Sequence, residues 1–160
     1  ETIVIVGFLN GTVGIYDIDF NQPGNIFVAH HDFLLSMSVL PRIDSCLIVT
    51  TSQDNTAKIW ELKGIASCKH TLENYHKFVL TSCLFYYGLD DKGDKMIGLL
   101  TGGKDEMING WNVNTGEIMF SIKCQKNSIF EIDQHPNDRC FVSSSGDGTI
   151  CVWDYDVIQI

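Results

Sequence analysis

Four segments of this chain share one pattern, and this internal repetition constrains the fold more than any other feature. Each segment begins with Asp or Asn, continues through apolar and small residues, and ends in an aromatic residue followed by an acidic residue or Asn. The copies are Asn10–Asp17, Asp54–Glu61, Asp105–Asn112 and Asp147–Asp154. A unit of this size cannot bury its apolar face alone, so successive units must stack against one another.

Each period carries four short strand signals and almost no helical periodicity. Runs of β-branched and aromatic residues are separated by Gly, Asn and Asp, and the pairs Asn10-Gly11 and Asp147-Gly148 are typical of tight hairpins. The aromatic residues that end the copies lie 44, 51 and 42 residues apart along the chain. The longer middle interval contains residues 86–95, whose Gly and charged side chains predict an inserted surface loop.

The residues around these copies resemble the WD-repeat family. The family pattern has a Gly-His pair, an apolar strand that ends near Pro, a strand that ends in Ser or Thr, an Asp turn and a Trp-Asp pair. The second repeat has Ala29-His30, Val39-Leu40-Pro41, Thr50, Asp54 and Trp60-Glu61; the third has Tyr75-His76, Leu84-Phe85, Thr101, Asp105 and Trp111-Asn112. The fourth has Gln125-Lys126, His135-Pro136, Ser143, Asp147 and Trp153-Asp154, with Lys126 in the place of His.

The resemblance implies an all-β fold, a β-propeller with blades of four antiparallel strands each. About four blades are present, and we expect them to be part of a larger ring of seven or eight blades. We assign residues 1–30 to a partial blade with strands b, c and d, 31–74 to a second blade, 75–125 to a third blade with the inserted loop 86–95, and 126–160 to a fourth blade that ends in a short strand at 157–160. The remaining blades are expected from the same chain or from another.

In the WD-repeat family, His, Ser or Thr, Asp and Trp form a hydrogen-bonded chain within a blade. The resemblance places this structural chain at His30, Thr50, Asp54 and Trp60, at His76, Thr101, Asp105 and Trp111, and at Ser143, Asp147 and Trp153. With Lys126 in the place of His, the fourth chain is expected to be incomplete, and the first repeat has Asn10 and Tyr16 for Asp and Trp. A hydrolase triad is disfavoured, because the same trio recurs in successive repeats and catalysis would not require that.

The connections between strands segregate onto two faces of a propeller, and the resemblance implies that partners bind at the face formed by the d–a and b–c connections, the top face. The candidate partner-binding residues there are Phe33, Gln53, Asn55, Phe78, Lys104, Glu106 and Lys126. Phe78 is the favoured contact, because the family usually has a polar residue at that position and an exposed aromatic residue is a natural binding anchor.

Charge and composition disfavour several other functions. The chain has 11 Lys and Arg against 20 Asp and Glu, a net charge of −9 that repels phosphate backbones. Cys68, His70 and His76 match no zinc spacing, Gly102-Gly103-Lys104 lacks the remainder of a phosphate loop, and no apolar run is long enough to span a membrane. No cofactor, metal or small-molecule substrate is expected. The six cysteines lie in apolar runs without a C-x-x-C pair, which favours an intracellular location, cytoplasmic or nuclear.

These observations predict a non-enzymatic scaffold that binds partner proteins or peptides through its top-face loops within a larger assembly. One alternative is a ubiquitin-binding propeller of an adaptor in protein degradation, since Phe78-Val79, the long insertion and Thr101-Gly102-Gly103 resemble the propeller of phospholipase-A2-activating-type proteins. A propeller that binds nucleic acid or anionic lipid is a second alternative, which requires a basic stripe. An enzyme that uses the central channel would require convergent acids, bases or metal ligands from several blades.

Overall fold

The computed structural model describes residues 3–17, 24–43, 45–89, 95–123, 125–135 and 139–155. These residues form fourteen strands. The strands are β1 (Ile3–Gly7), β2 (Thr12–Asp17), β3 (Ile26–Val28), β4 (Leu34–Pro41), β5 (Cys46–Ser52), β6 (Ala57–Lys63), β7 (Ile65–Leu72), β8 (Leu80–Leu89), β9 (Lys95–Gly103), β10 (Met107–Asn112), β11 (Ile118–Lys123), β12 (Ile129–Gln134), β13 (Cys140–Ser145) and β14 (Ile150–Asp154). The described residues contain no helix, and therefore none that could cross a membrane.

The strands form four separate antiparallel sheets in chain order, which we number as blades. Blade 1 has the order β1-β2-β3, blade 2 β4-β5-β6-β7, blade 3 β8-β9-β10-β11 and blade 4 β12-β13-β14. Within each blade, strands that are consecutive in the chain pair with one another in antiparallel orientation. The predicted all-β fold with four-stranded antiparallel blades is confirmed; the strand expected at 157–160 lies outside the described residues.

Apolar clusters between neighbouring blades hold the array together. One cluster joins blades 1 and 2 around Val13 and Ile48, the next joins blades 2 and 3 around Leu47 and Leu99, and the third joins blades 3 and 4 around Ile129. The first strands of successive blades also pack together, with β8 between β4 and β12. Because blade 2 lies between two other blades, β5 is buried along nearly its whole length, and its Leu-Ile-Val run does not alternate with polar residues.

The insertion in blade 3 differs from the loop expected at residues 86–95. Strand β8 continues to Leu89 and β9 begins at Lys95, and the register pairs Tyr87 with Ile97 and Gly88 with Met96. The extra residues therefore lengthen a hairpin rather than form a loop from residue 86 onwards. The aromatic pair Tyr86-Tyr87 favours a strand. The charged residues and Gly that follow it led to the prediction of a loop instead.

Candidate binding face

A chain of hydrogen bonds crosses the interior of blade 2. The indole Nε1 of Trp60 donates to Oγ1 of Thr50 at 3.0 Å, and Thr50 Oγ1 lies 2.8 Å from Nε2 of His30. The other ring nitrogen of His30, Nδ1, lies 2.9 Å from a carboxylate oxygen of Asp54. His30 and Thr50 are fully buried. These contacts satisfy polar groups that would otherwise destabilise the blade, since an unpaired buried polar atom costs about 1–3 kcal/mol.

Blade 3 repeats the arrangement with its own residues. Trp111 Nε1 donates to Thr101 Oγ1 at 2.8 Å, which lies 2.9 Å from His76 Nε2. His76 Nδ1 lies 3.0 Å from the carboxylate of Asp105. The family resemblance places these four residues in one chain, and the structure brings them together.

The hydrogen-bond pattern in blade 2 fits a neutral histidine. If His30 carries its proton on Nδ1, that N–H donates to Asp54, while Nε2 accepts the Thr50 hydroxyl proton and Thr50 accepts from Trp60. Every one of these atoms then has a partner in its correct role. Burial lowers the pKa of His30 below its usual value, although the hydrogen bond to Asp54 acts in the opposite direction. Neutral His30 is therefore the form that the folded blade favours.

The aspartate of each chain also fixes the b–c turn. Burial opposes ionisation of Asp54, but hydrogen bonds from Thr56 and His30 outweigh it and hold the pKa of the carboxyl below its usual value. In blade 4, the hydroxyl and N–H of Thr149 and the backbone N–H of Lys126 donate to Asp147 and lower its pKa to about 2. An ionised carboxylate in this position ties the turn to the connection that precedes the blade.

Blade 4 has a complete chain, contrary to the expectation drawn from Lys126. Gln125 takes the histidine position: Ser143 Oγ donates to Gln125 Oε1 at 2.7 Å, and Gln125 Nε2 donates to Thr149 Oγ1 at 3.1 Å. Trp153 Nε1 donates to Ser143 Oγ at 2.9 Å. Gln125 is buried whereas Lys126 is exposed. An amide presents one acceptor and one donor, as a neutral imidazole does, and therefore replaces it.

Blade 1 retains only the turn. The side-chain Oδ1 of Asn10 accepts from the backbone N–H of Thr12 at 3.2 Å and from its hydroxyl at 2.7 Å, the same turn contacts that Asp54 makes to Thr56. Tyr16 stands in the position of the tryptophan and is half-buried.

The b–c turns and d–a connections lie together on the top face. The backbone N–H groups of Gln53, Lys104 and Gly146 donate to the carbonyls of Phe33, Val79 and Ser128, at 2.9, 2.8 and 3.0 Å. Each bond joins the b–c turn of a blade to the residue just before its first strand. The loops that carry the candidate binding residues are thus fixed to the hydrogen-bonded blades beneath them.

The candidate partner-binding residues occupy this face. Phe78 and Phe33 expose 59% and 49% of their surface, and Gln53, Asn55, Lys104 and Lys126 are also exposed. Glu106, by contrast, is half-buried, and its carboxylate makes an ion pair with the ammonium group of Lys123 at 2.9 Å. Sequence reasoning missed the structural role of Gln125, because the repeat alignment placed the histidine position one residue later, at Lys126. Lys77, next to Phe78, is an exposed cation on the same face. The partner-binding role of the candidate residues stays a prediction.

The polar side chains of the Trp–hydroxyl–His or Gln chains are occupied by one another. Each His or Gln, hydroxyl and aspartate is bonded within its own blade. In the part of the chain that the structure describes, no group of three His, Cys, Asp or Glu side chains is placed to hold a metal ion. The described geometry is that of a rigid framework with side chains displayed at the ends of its strands.

Stacked antiparallel blades, three of them locked by a Trp–hydroxyl–His or Gln chain, define a β-propeller repeat protein. The chain belongs to the WD40 family: the family described as WD domain, G-beta repeat, matches residues 3–61 and 116–154, more than half of the chain. Strands β8 to β10 of blade 3, with the lengthened hairpin, lie in the unmatched middle, and this blade nevertheless has the same hydrogen-bonded chain. The prediction of a WD-repeat protein is confirmed.

Relatives share this family at moderate identity. The chain is 31% identical over 68% of its length to WD repeat-containing protein 26 homolog from Arabidopsis thaliana, covering 18% of that protein. It is 28% identical over 78% of its length to p21-activated protein kinase-interacting protein 1-like from Xenopus laevis, covering 31% of it, and 25% identical over 79% to probable coatomer subunit beta' from Schizosaccharomyces pombe, covering 15%. The chain thus spans less than a third of these relatives. A computationally designed protein, Ika4, has the same fold, with a TM-score of 0.76 over 96% of this chain and 86% of that one at 22% identity.

Proposed function

We propose that this chain is a non-catalytic platform that binds other proteins through the top face of its blades. The observation that carries the proposal is Phe78, a large aromatic side chain that is 59% exposed on a loop fixed by hydrogen bonds. Aromatic anchors of this kind contribute disproportionately to protein–protein binding, since truncation of such a residue often costs about 2 kcal/mol or more.

The exposure of Phe78 does not arise from an open end of the array. Blade 3, which carries Phe78, has blade 2 on one side and blade 4 on the other. Phe33 is in the same situation on blade 2, between blades 1 and 3. Any further blades would therefore leave both rings accessible at the top face.

The framework beneath these rings supports binding without a large ordering cost. The Trp–Thr–His–Asp chains hold the turns in place before a partner arrives, so little conformational entropy remains to be lost on binding. The relatives named as a kinase-interacting protein and as a coatomer subunit are consistent with a propeller that works by contact with other proteins.

The proposal is tested by affinity capture with the intact protein and a Phe78→Ala, Lys104→Glu variant. The matched control is a Tyr87→Ala, Lys63→Glu variant, because Tyr87 and Lys63 are exposed at the opposite ends of strands. We expect the same proteins to be captured by the wild type and the control and to be lost from the top-face variant. Retention of all partners by the top-face variant would refute binding at this face.

A further inference from the structure

We infer that the partner of the top face is an acidic protein segment that carries an apolar side chain, seated on Phe78 between Lys77, Lys104 and Lys126. This inference rests on the proposed function and specifies the chemistry of its partner. We call these four residues the basic–aromatic patch. The aromatic ring provides an apolar contact, and the three lysines provide positive charge around it.

Lys77 and Lys104 flank Phe78 in blade 3, and Lys126 occupies in blade 4 the position that Lys77 occupies in blade 3. Lys77 precedes Phe78, and the backbone N–H of Lys77 donates to Asp105 in the neighbouring turn at 3.0 Å. Lys104 lies directly after strand β9, and its backbone N–H donates to the carbonyl of Val79, the residue after Phe78, at 2.8 Å. Lys126 lies in the connection that leads into the first strand of blade 4. Blade 4 contacts blade 3 near this point, where the Thr81 hydroxyl donates to the carbonyl of Ile129.

None of the three ammonium groups forms an ion pair in the part of the chain that the structure describes. Lys77, Lys104 and Lys126 are exposed, whereas the ion pairs to lysine there involve Lys63, Lys69 and Lys123. These free charges favour an anionic partner.

The carboxylates of the same turns accept hydrogen bonds from the blades and make no ion pair with these three lysines in the described residues. Asp105 accepts from His76 and from the backbone of Lys77, and Asp147 accepts from Thr149 and from the backbone of Lys126. Glu106 is paired with Lys123. Asp105 and Asp147 are thus held against the backbone of their turns, whereas the three lysine side chains are exposed and available to pair with a partner.

A short acidic segment fits this patch better than a polyanion does. The whole chain carries −9, and charges farther away than about 10 Å are largely screened at moderate ionic strength. A segment of a few residues samples mainly the patch, whereas nucleic acid or an anionic membrane extends over the acidic remainder and is repelled by it. The exposed Phe78 ring also requires an apolar group, which a peptide side chain supplies.

The inference is tested by panning a displayed library of random peptides on the intact protein. Two variants are panned in parallel: Phe78→Ala, and the triple variant Lys77→Gln, Lys104→Gln, Lys126→Gln, with circular dichroism and thermal melting to verify folding. We expect enriched peptides in which Asp or Glu flanks an apolar residue, and we expect both variants to lose them. A synthesised, fluorescein-labelled copy of the most enriched peptide should bind the triple variant about tenfold more weakly. Binding to Arg42→Gln, Lys63→Gln, which removes two charges distant from the patch, should change by less than about twofold.

Each other outcome has a distinct meaning. Enriched peptides without acidic residues that Phe78→Ala loses would overturn the inference but leave top-face binding intact. Peptides that both variants retain would overturn the inference and the proposed function together. If no peptide is enriched and the protein instead binds phosphatidylserine vesicles through the three lysines, the ligand is a membrane surface. That result would overturn the inference of a protein segment.

Discussion

At the scale of single residues, blades 2, 3 and 4 each depend on one hydroxyl oxygen that serves two partners inside the blade. Thr50 accepts from the indole of Trp60 and donates to His30, and Ser143 accepts from Trp153 and donates to Gln125. A hydroxyl can do both, because it has one proton and two lone pairs. Removal of that oxygen leaves two polar groups inside the blade without this partner at the same time.

Replacement of Thr50 by valine keeps the shape of the side chain and removes only the oxygen. We expect the free energy of unfolding to fall by about 3 kcal/mol, because the His30 and Trp60 nitrogens lose their partner in a buried site. Urea denaturation followed by tryptophan fluorescence measures the change. Thr71→Val, at an exposed strand position, is the control and should shift the free energy of unfolding by less than about 0.5 kcal/mol. Equal effects at the two positions would contradict a structural role for the Thr50 hydroxyl.

His30 makes blade 2 sensitive to acid. Because burial lowers the pKa of His30 in the folded protein, the unfolded chain binds a proton more readily, and stability is lost as pH falls below about 6.5. Gln125 shows that glutamine satisfies the same position, so His30→Gln should fold and lose this part of the pH dependence. Thermal melting of both proteins between about pH 7.5 and pH 5 tests this. Identical loss of stability on acidification in the two proteins would rule out His30 as the titrating group.

The residue scale also shows where sequence comparison succeeds and fails. The positions of His30, Thr50 and Trp60 follow from the family pattern, because the pattern places each of these residue types at one position of the hydrogen-bonded chain. Gln125 could not be found in this way, since glutamine is normally a surface residue and the adjacent Lys126 is the more conspicuous departure. The cue that could have identified it is physical: only an uncharged donor–acceptor group can replace a buried neutral histidine.

At the scale of elements, the b–c turns share one backbone conformation. The residue after the Asp or Asn has a positive φ in every blade: Gly11 (84°), Asn55 (66°), Glu106 (68°) and Gly148 (83°). Glycine and asparagine adopt this left-handed region most readily. Its occupation by glutamate in blade 3 shows that the fold imposes the turn even where the local sequence does not favour it.

The two turn glycines should respond differently to alanine. A Cβ on Gly148 meets nothing within 4 Å, so Gly148→Ala should cost only the backbone preference, about 1 kcal/mol. A Cβ on Gly11 would lie 2.3 Å from the carbonyl oxygen of His30, so Gly11→Ala should cost more than about 3 kcal/mol in free energy of unfolding. Chemical denaturation of both variants checks the order. Equal losses would mean that the Gly11 turn does not pack against the connection to blade 2.

The strands were more predictable than the insertion between them. Cys46–Ser52, Ile129–Gln134 and Cys140–Ser145 are short runs rich in apolar and β-branched residues, and Asp, Asn or Gly lies close to each end in the sequence. The hairpin of β8 and β9 has no such boundary, since Tyr86–Leu89 continues the strand into residues with loop-like composition. Cross-strand pairing with β9 decides its conformation, and single-sequence patterns do not report that pairing.

At the scale of the whole molecule, blade 4 presents a face that the other blades bury. Val49 and Ile59 of blade 2 are fully buried against blade 3, and Val142 and Val152 pair in the same register in blade 4. Val152 is 71% exposed, and Ile150 beside it is 73% exposed. A monomeric protein rarely leaves such a row of apolar side chains open to water. The larger ring of seven or eight blades therefore remains our expectation, with the next blade seated on this face.

A lysine at position 152 tests whether this face is covered. In the intact protein, we expect Val152→Lys to lower the melting temperature by several degrees, because a charge would be buried against the neighbouring blade. Tyr87→Lys, at a position that is 67% exposed on blade 3, should leave the melting temperature unchanged. A Val152→Lys variant as stable as wild type would show that the face is open to solvent.

The most direct test of top-face binding is site-specific photo-crosslinking in cells that express the intact protein. Benzoylphenylalanine replaces Phe78 in one variant and Tyr87, near the other end of the same hairpin, in a second. We predict that position 78 yields discrete crosslinked proteins, that these are absent at position 87, and that Lys104→Glu diminishes them. Crosslinks confined to position 87, or identical at both positions, would contradict a partner-binding top face.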